Sequence, residues 1–300
     1  MKIASFLLSG FLLSAHALAG LTGQVRIDGS STVFPISEAV AEEFQKANAG
    51  VKVTVAQSGT GGGFKKFVAN EIDISDASRT IKKEEAEAAE KAKILWTEVP
   101  VAYDGITVVI NPKNTWVKSL TIEQLKKIWE PESKVKTWKD VDASWPDSKI
   151  KLYGPGADSG TFDYFTEHVN GKAKAIRPDF TASEDDNVLV KGVAGDKDAL
   201  GYFGIAYYEA NSKKVKSVAV AGTDGKFVSP TVETVKDGTY PISRPLFIYV
   251  NHASLAKPEV SSFVNYYLTN AKKLVAETGY VPMTEAQYKA GLAKIAAVKK

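Results

Sequence analysis

The sequence predicts an α/β fold divided into two lobes, and three observations lead to that prediction. Segments with the apolar alternation of β-strands take turns with segments whose apolar residues recur at helical spacing, which is typical of a mostly parallel sheet covered by helices. Several of these strands run into turns rich in glycine and hydroxyl side chains. A long apolar run at 99–110 is interrupted only by Asp104 and Gly105, and we interpret it as the crossing into a second lobe.

The N-terminal stretch predicts a signal peptide at residues 1–19. An apolar run follows Lys2, and Ala17-Leu18-Ala19 has the small-x-small form of a signal-peptidase site. We expect the exported product to be soluble, because no later run approaches the roughly 20 apolar residues that a membrane span needs.

The composition argues against several kinds of site. The chain has no cysteine, so we expect no disulfide, thiolate metal ligand, cysteine nucleophile or lipid-anchored N-terminal cysteine. The 38 basic and 35 acidic residues give a net charge of +3, which does not suggest nucleic-acid binding. Carboxylate pairs such as Asp185-Asp186 lack accompanying histidines, so we expect no metal site, and we expect no cofactor.

The first two units each run from a strand through a turn into a helix. Val25 and Ile27 alternate as in a strand, residues 28–32 read Asp-Gly-Ser-Ser-Thr, and apolar residues then recur at helical spacing. The second unit has alternating valines at 51–55 and a turn at 57–63 that reads Gln-Ser-Gly-Thr-Gly-Gly-Gly. A helix pattern follows that turn as well.

The third unit, at 153–165, has the features of an anion-binding site. The first N–H groups of a helix have no partner within it and lie at the positive end of its dipole, so an oxyanion can accept them together with the Ser159 and Thr161 hydroxyls. Gly160 would let the backbone approach closely. The alternative is that Asp158 or Ser159 only caps the helix, with no ligand.

The remaining segments complete the two lobes. A short apolar strand ends in Asp76 and Arg79, and Thr121 with Gln124 predicts a capping box. Further patterns predict a charged, solvated helix at 82–93, strands at 199–208 and 217–221, a crossing back at 240–250, and two C-terminal helices.

Three hydroxyl- and glycine-rich turns that each enter a helix are more specific than one. If two lie on one lobe and the third on the other, a ligand in the cleft would be wrapped in backbone N–H groups as the lobes close. The competing explanation is that helices often begin with Ser, Thr and Gly.

At these motifs the sequence resembles the phosphate-binding periplasmic proteins of ABC transporters, the PstS family with its DING-type relatives. The motifs are Asp28-Gly29-Ser30-Ser31-Thr32-Val33-Phe34-Pro35, Ser75-Asp76-Ala77-Ser78-Arg79, Asp158-Ser159-Gly160-Thr161 and Thr239-Tyr240-Pro241-Ile242-Ser243-Arg244. The resemblance implies a type II periplasmic-binding-protein fold with two crossing strands and the ligand in the interlobe cleft. We place lobe 1 at 20–104 plus 240–300, and lobe 2 at 105–239.

The resemblance also implies a set of phosphate ligands. By position, these fall on Ser31, Thr32, the Val33 backbone, Thr60, Asp76, Ser159, Gly160 and Thr161. Many members place an arginine four residues before the third-turn serine, where this chain has Pro155. We therefore infer that Arg79 supplies the guanidinium and keeps Asp76 ionised. An ionised Asp76 would accept the O–H of phosphate and repel sulfate, which has no proton to donate.

The function that the resemblance implies is binding of inorganic phosphate in the periplasm and delivery to the permease subunits of an ABC importer. We expect a monomer with no enzymatic activity. One alternative is a binding protein for another oxyanion, such as sulfate or molybdate. A less favoured one is a serine hydrolase, because residues 157–161 are similar to the segment around a trypsin-like nucleophile, although His168 and His252 both follow Ser159.

Overall fold

The computed structural model describes residues 20–298, so the predicted signal peptide at 1–19 lies outside the described residues. The strands of the described chain are β1 (Gly23–Gly29), β2 (Val51–Ala56), β3 (Ile74–Ala77), β4 (Trp96–Ile110), β5 (Ser119–Thr121), β6 (Lys151–Gly154), β7 (Thr181–Ala182), β8 (Ala199–Gly204), β9 (Lys216–Ser217), β10 (Ala219–Ala221), β11 (Phe227–Val228), β12 (Ser243–Asn251) and β13 (Val281–Pro282). Its α-helices are α1 (Phe34–Ala47), α2 (Thr60–Val68), α3 (Lys83–Lys91), α4 (Ile122–Trp129), α5 (Gly160–Asn170), α6 (Asp186–Gly195), α7 (Ile205–Asn211), α8 (Val232–Lys236), α9 (Pro258–Glu277) and α10 (Glu285–Val298). Short 3₁₀ turns occur at Trp138–Asp140 and Ser254–Ala256.

One mixed sheet of ten strands runs through both halves of the described chain, in the order β2-β1-β3-β12-β4-β8-β6-β7 with β9 and β13 added at β4. The pairs of β1 with β2 and β3 are parallel, as are those of β6 with β7 and β8. The two central strands, β12 and β4, are antiparallel to each other and to the strands that they border. Turns that follow parallel strands meet at the same end of those strands. Through β12 and β4, however, β6 and β8 run antiparallel to β1 and β3, so the third turn faces the first two from the opposite strand group.

The crossing strands β4 and β12 connect the two halves of the sheet. β4 pairs with β12 as far as Gly105, and with β8 from Ile106 onwards. In this register Arg244 lies opposite Asp104. The sequence interpretation of the runs at 99–110 and 240–250 as crossings agrees with these strands.

Helices cover both faces of each half of the sheet. Around β1 to β3, α1 and α9 pack on one face, where Phe44 and Phe263 meet edge to face, and Phe64 of α2 is buried on the other. Around β6 and β8, Trp129 and Tyr202 pack edge to face in a second core. Each half therefore has a core of its own. Burial of a large apolar side chain stabilises a fold by about 1.5–3 kcal/mol. No helix within residues 20–298 has the length and apolar content to cross a membrane.

Most of the predicted elements form, but one prediction is wrong in length. β8 ends at Gly204 and α7 begins at Ile205, so the predicted strand at 199–208 is too long. The helix lets Ile205 pack in the core of β6 and β8 while Tyr208 packs against the cluster on the opposite face. The predicted capping box is confirmed: the Gln124 N–H donates to Thr121 Oγ1 at 3.1 Å, and the Thr121 N–H donates to Gln124 Oε1 at 3.0 Å.

Candidate functional site

The first turn is fixed against the end of β3. Gly29, the last residue of β1, lies opposite Asp76 in the parallel register and has a φ of 147°. A Cβ at this position would lie 2.1 Å from the Asp76 carbonyl oxygen, so no side chain fits there. The Ser30 N–H donates to the same carbonyl oxygen at 2.9 Å. The turn that enters α1 therefore starts from a fixed point beside Asp76.

The first-turn groups predicted to bind an anion have local partners in this structure. The Thr32 N–H donates to Ser30 Oγ at 3.2 Å, and the Val33 N–H donates to the Ser30 carbonyl oxygen at 3.2 Å. Ser31 Oγ donates to Asp163 Oδ2 at 3.0 Å. An anion that binds at this turn would replace these partners as the acceptor of the hydrogen bonds.

Asp76 is fully buried and only half satisfied. Ser37 Oγ donates to Asp76 Oδ1 at 3.0 Å, whereas Oδ2 has no hydrogen-bond partner among the described residues. Burial raises the pKa of Asp76 to about 8; the Ser37 hydrogen bond opposes this rise, and the Asp28 carboxylate adds to it. The expectation that Asp76 is ionised therefore needs correction, because in this structure the carboxyl group keeps its proton at neutral pH.

The proposed pairing of Arg79 with Asp76 also needs correction. The Arg79 guanidinium donates to both Glu85 oxygens, at 2.8 and 2.7 Å, and lies 5.5 Å from the centre of the Phe64 ring. Glu85 belongs to the helix that we predicted at 82–93 as charged and solvated. Arg79 still borders the cleft, but its charge is already matched.

The second turn is tied to the first strand. Asp28 Oδ1 accepts the N–H and the hydroxyl of Ser58 at 2.9 and 2.7 Å, and Lys66 pairs with the other oxygen of Asp28. Thr60 Oγ1 accepts the Ser78 N–H at 3.1 Å. The sequence predicted Thr60 as the ligand from the second turn, and in the structure Thr60 lines the cleft.

The third turn caps its own helix. Ser159 is the N-cap of α5, and its Oγ accepts the N–H groups of Thr161 and Phe162 at 3.2 and 3.4 Å. In this structure the capping alternative therefore accounts for Ser159 without a ligand.

Gly160 brings the third turn into contact with the first across the cleft. A Cβ on Gly160 would lie 2.5 Å from Thr32 Cα, and Thr32 Oγ1 donates to the Gly160 carbonyl oxygen at 3.3 Å. The glycine was predicted to allow close backbone approach to a ligand. In this structure it allows close approach to Thr32.

Arg244 is the guanidinium at the first turn, and the sequence interpretation missed it. Its Nη2 donates to Thr32 Oγ1 at 3.0 Å, its Nε lies 3.5 Å from Asp104 Oδ2, and its guanidinium carbon lies 3.7 Å from the centre of the Tyr164 ring. Arg244 is largely buried, with 13% of its side chain exposed. Burial raises the pKa of Asp104 to about 6, against the opposing effect of the Arg244 charge. One signal was available: Arg244 stands in the Tyr-Pro-Ile-Ser-Arg motif at the predicted crossing.

The contact of Gly160 with Thr32 separates two cavities. The larger one, of about 780 Å³, is lined by Thr32, Thr60, Arg79 and Arg244. The smaller one, of about 310 Å³, is lined by Ser159, Gly160 and Thr161 and by carboxylates that include Asp104 and Asp186. Ser31 borders both cavities. The structure thus brings the three turns together across the cleft but divides most of the predicted ligands between two spaces, and Val33 and Asp76 line neither of them.

Two other site types gain no support from the geometry. His168 borders the larger cavity, whereas Ser159 borders the smaller one and is engaged as a helix cap, so the pair does not have the arrangement of a nucleophile and its base. Within residues 20–298 no group of three or more His, Cys, Asp and Glu side chains is placed to hold a metal ion.

The comparisons with known proteins identify the family of this chain. A model of the PBP superfamily domain matches residues 14–271. The chain belongs to the PBP superfamily. It is 53% identical over 269 residues to protein SphX of Synechococcus elongatus, which covers 89% of this chain and 79% of that protein. It is 43% identical over 272 residues to the phosphate-binding protein PstS of Staphylococcus haemolyticus, with coverages of 90% and 84%.

A solved structure supports the same fold. The crystal structure of a possible phosphate binding protein from Planctomyces limnophilus matches with a TM-score of 0.91 and 48% identity, over 94% of this chain and 100% of that one. The resemblance found in the motifs and the two-lobed α/β fold are therefore confirmed.

Proposed function

We propose that this chain binds inorganic phosphate in the cleft between its lobes and delivers it to the membrane permease of an ABC importer. The observation that carries the proposal is Asp76 Oδ2, a buried carboxyl oxygen that has no partner among the described residues and lies near the end of β3, beside the first turn. Such atoms are uncommon in native proteins and call for an explanation, which a bound anion would supply here. The relatives, which include a phosphate-binding protein, support the same function.

The ligand set that we propose combines the sequence prediction with the structure. Lobe 1 supplies Asp76, Thr60 and the first-turn groups of Ser31, Thr32 and the Val33 backbone. Lobe 2 supplies Ser159, Gly160 and Thr161. Arg244 takes the role that we had given to Arg79, because only Arg244 donates to Thr32. A guanidinium suits a tetrahedral oxyanion because it offers several N–H donors in a fixed plane.

We further propose that phosphate moves the lobes, taken as 20–104 with 240–300 and 105–239. The larger cavity, at about 780 Å³, has room for far more than one oxyanion, and the third turn borders a different space. A single anion can meet all three turns only if the lobes shift about the crossing strands. The same proposal places a monomeric protein in the periplasm, exported by the signal peptide predicted at 1–19.

A calorimetric titration of the mature chain with phosphate, sulfate and molybdate at pH 8 tests the function. We expect saturable binding of phosphate and much weaker binding of the other two anions. Tighter binding of sulfate or molybdate would instead support the alternative of another oxyanion. Small-angle scattering with and without phosphate tests closure, and identical dimensions in the two states would contradict it.

A further inference from the structure

A chain of polar contacts leads from Asp76 through Ser37 to Tyr267 in the protein core. Ser37 lies in the first turns of α1, and its Oγ donates to Asp76 Oδ1 at 3.0 Å. The same Oγ lies 3.4 Å from the hydroxyl oxygen of Tyr267, which is in the middle of α9. All three side chains are 0% exposed. These groups form a buried row from the C-terminal helix to the carboxyl group at the site.

The chemistry of the three groups sets the direction of this row. Once Asp76 is ionised, its carboxylate can only accept, and a serine hydroxyl has one proton to donate. In that state Ser37 donates to Asp76, and the Tyr267 hydroxyl is the donor to Ser37. Burial raises the pKa of Tyr267 well above its usual range, so the phenol keeps the proton that it donates.

The two oxygens of Asp76 differ in their hydrogen bonds. Oδ1 accepts a hydrogen bond from Ser37, whereas Oδ2 is also buried and accepts none from the described residues. The other charged group that acts on Asp76 is Asp28 of β1, which is itself paired with Lys66 of α2. On the β12 side, Asp76 lies opposite the apolar Ile248.

We propose that Ser37 and Tyr267 are positioning residues for anion selectivity, because they commit Asp76 Oδ1 to the protein interior and leave Oδ2 as the atom that meets the proton of the bound anion. This inference rests on the proposed phosphate function. The hydrogen bond from Ser37 favours the ionised carboxylate, which accepts the O–H of phosphate and repels sulfate. Without that bond the carboxyl group keeps its proton more firmly and can donate it to sulfate as well as to phosphate.

The test compares phosphate and sulfate affinities in the wild-type chain, Ser37→Ala and Tyr267→Phe at pH 9.5, where most of the wild-type Asp76 is ionised. We expect the phosphate-to-sulfate affinity ratio to fall about tenfold in Ser37→Ala, the size of effect that loss of a hydrogen bond to a charged group produces. Tyr267→Phe, which removes one oxygen atom, should lower the ratio about threefold, because the tyrosine acts through Ser37 and over a longer contact. Ser37→Thr keeps the hydroxyl and should restore the ratio.

Two control variants remove comparable groups elsewhere in the same part of the fold. Ser254 Oγ donates to the buried Asp73 Oδ1 at 2.7 Å, so Ser254→Ala removes a serine–carboxylate bond remote from the cleft. Tyr288 is buried in the same core as Tyr267, and its hydroxyl donates to the Val101 carbonyl oxygen at 2.8 Å. Ser254→Ala and Tyr288→Phe should lower thermal stability and leave the affinity ratio within about twofold of the wild type.

The outcomes separate this inference from the function on which it rests. A wild-type chain that binds no phosphate overturns the proposed function. A wild-type chain that prefers phosphate, with an unchanged ratio in Ser37→Ala, overturns the positioning role. If Ser37→Ala does not fold, Tyr267→Phe decides: a lowered ratio supports the role, and an unchanged ratio overturns it.

Discussion

The two sides of the cleft satisfy their polar groups in different ways. On the side of β1 to β3, the site rests on hydrogen bonds buried in the sheet, and Ser75 Oγ and Asp76 Oδ2 have no hydrogen-bond partner among the described residues. On the side of α5, Ser159 caps the helix, and Asp163 Oδ1, which also lacks a hydrogen bond among these residues, has the Lys174 ammonium group 3.9 Å away. The comparison suggests a division of roles: the first side selects the anion through Asp76, and the second side closes on it.

Two buried carboxyl groups near the first turn show how strongly a charged partner affects the pKa. Asp76 and Asp104 are both almost fully buried, at 0% and 1% exposed. Asp76 has only a serine hydroxyl as donor, and its pKa rises to about 8. Asp104 lies beside Arg244, and its pKa rises only to about 6. At neutral pH Asp76 is therefore mostly neutral and Asp104 mostly charged, and the two groups should respond differently to an anion.

The largest expected change in the phosphate-to-sulfate ratio comes from replacing the selective group itself. In Asp76→Asn, the amide oxygen can still accept from Ser37 while the amide N–H₂ takes the place of Oδ2 and donates to any oxyanion. Sulfate can bind the fraction of the wild-type chain in which Asp76 is protonated, roughly 3% at pH 9.5 for a pKa of about 8, so we expect the ratio to fall about thirtyfold at that pH. Competition binding measures it, and a ratio equal to that of the wild type would refute the role of Asp76. Asp73→Asn, a buried aspartate away from the cleft, is the control.

The next effect is steric and tests the α5 side. In Gly160→Ala the new Cβ would lie 2.5 Å from Thr32 Cα, so the two turns must separate by about 1 Å. Misplacement of that size in a binding constellation can cost about a hundredfold, and we expect a loss of phosphate affinity of that order with no change in the phosphate-to-sulfate ratio. Gly195→Ala, where a Cβ would meet nothing within 4 Å, should bind as the wild type does. If Gly160→Ala changed the ratio and not the affinity, the division of roles would be wrong.

The difference between the two sides also explains what the sequence could predict. Local patterns located the strand–turn–helix units, the caps and Asp76, because each depends on residues close together in the chain. Arg244 is 212 residues from Thr32, and their contact depends on the register of β4 and β12, which no local pattern specifies. Arg79 lies three residues from Asp76 in sequence, yet its guanidinium pairs with Glu85. Proximity in sequence was therefore a poor guide to the guanidinium of the site.

A smaller effect should distinguish the two arginines. Arg244→Lys keeps the charge but loses the planar donor set and the stacking on Tyr164, so we expect phosphate affinity to fall about tenfold or somewhat more. Arg79→Lys should change it by less than about threefold, because Glu85 already holds that guanidinium. Calorimetry on both variants decides between them. The reverse order would restore Arg79 as the ligand and remove Arg244 from the proposed set.

The last and smallest effect is the pH dependence of selectivity, which follows from the raised pKa of Asp76. With a pKa of about 8, the Asp76 carboxyl group is mostly protonated at pH 7 and mostly ionised at pH 9. The protonated form can donate to sulfate, whereas the ionised form repels it. Sulfate affinity should therefore fall as pH rises, by about tenfold between pH 7 and 9 for a single group that must bind a proton.

Phosphate should be affected much less over the same range, because its own O–H can be donated to the ionised carboxylate. The phosphate-to-sulfate ratio should thus rise with pH, and the window avoids Asp104 and Asp186, whose pKa values are both raised only to about 6. Titrations at pH 7, 8 and 9 measure the ratio, with Asp76→Asn as a control whose ratio should stay flat. If the wild-type ratio were constant or fell with pH, sulfate exclusion would not depend on ionisation of Asp76, and the selective side of the cleft would have to be sought in Arg244 and the first turn.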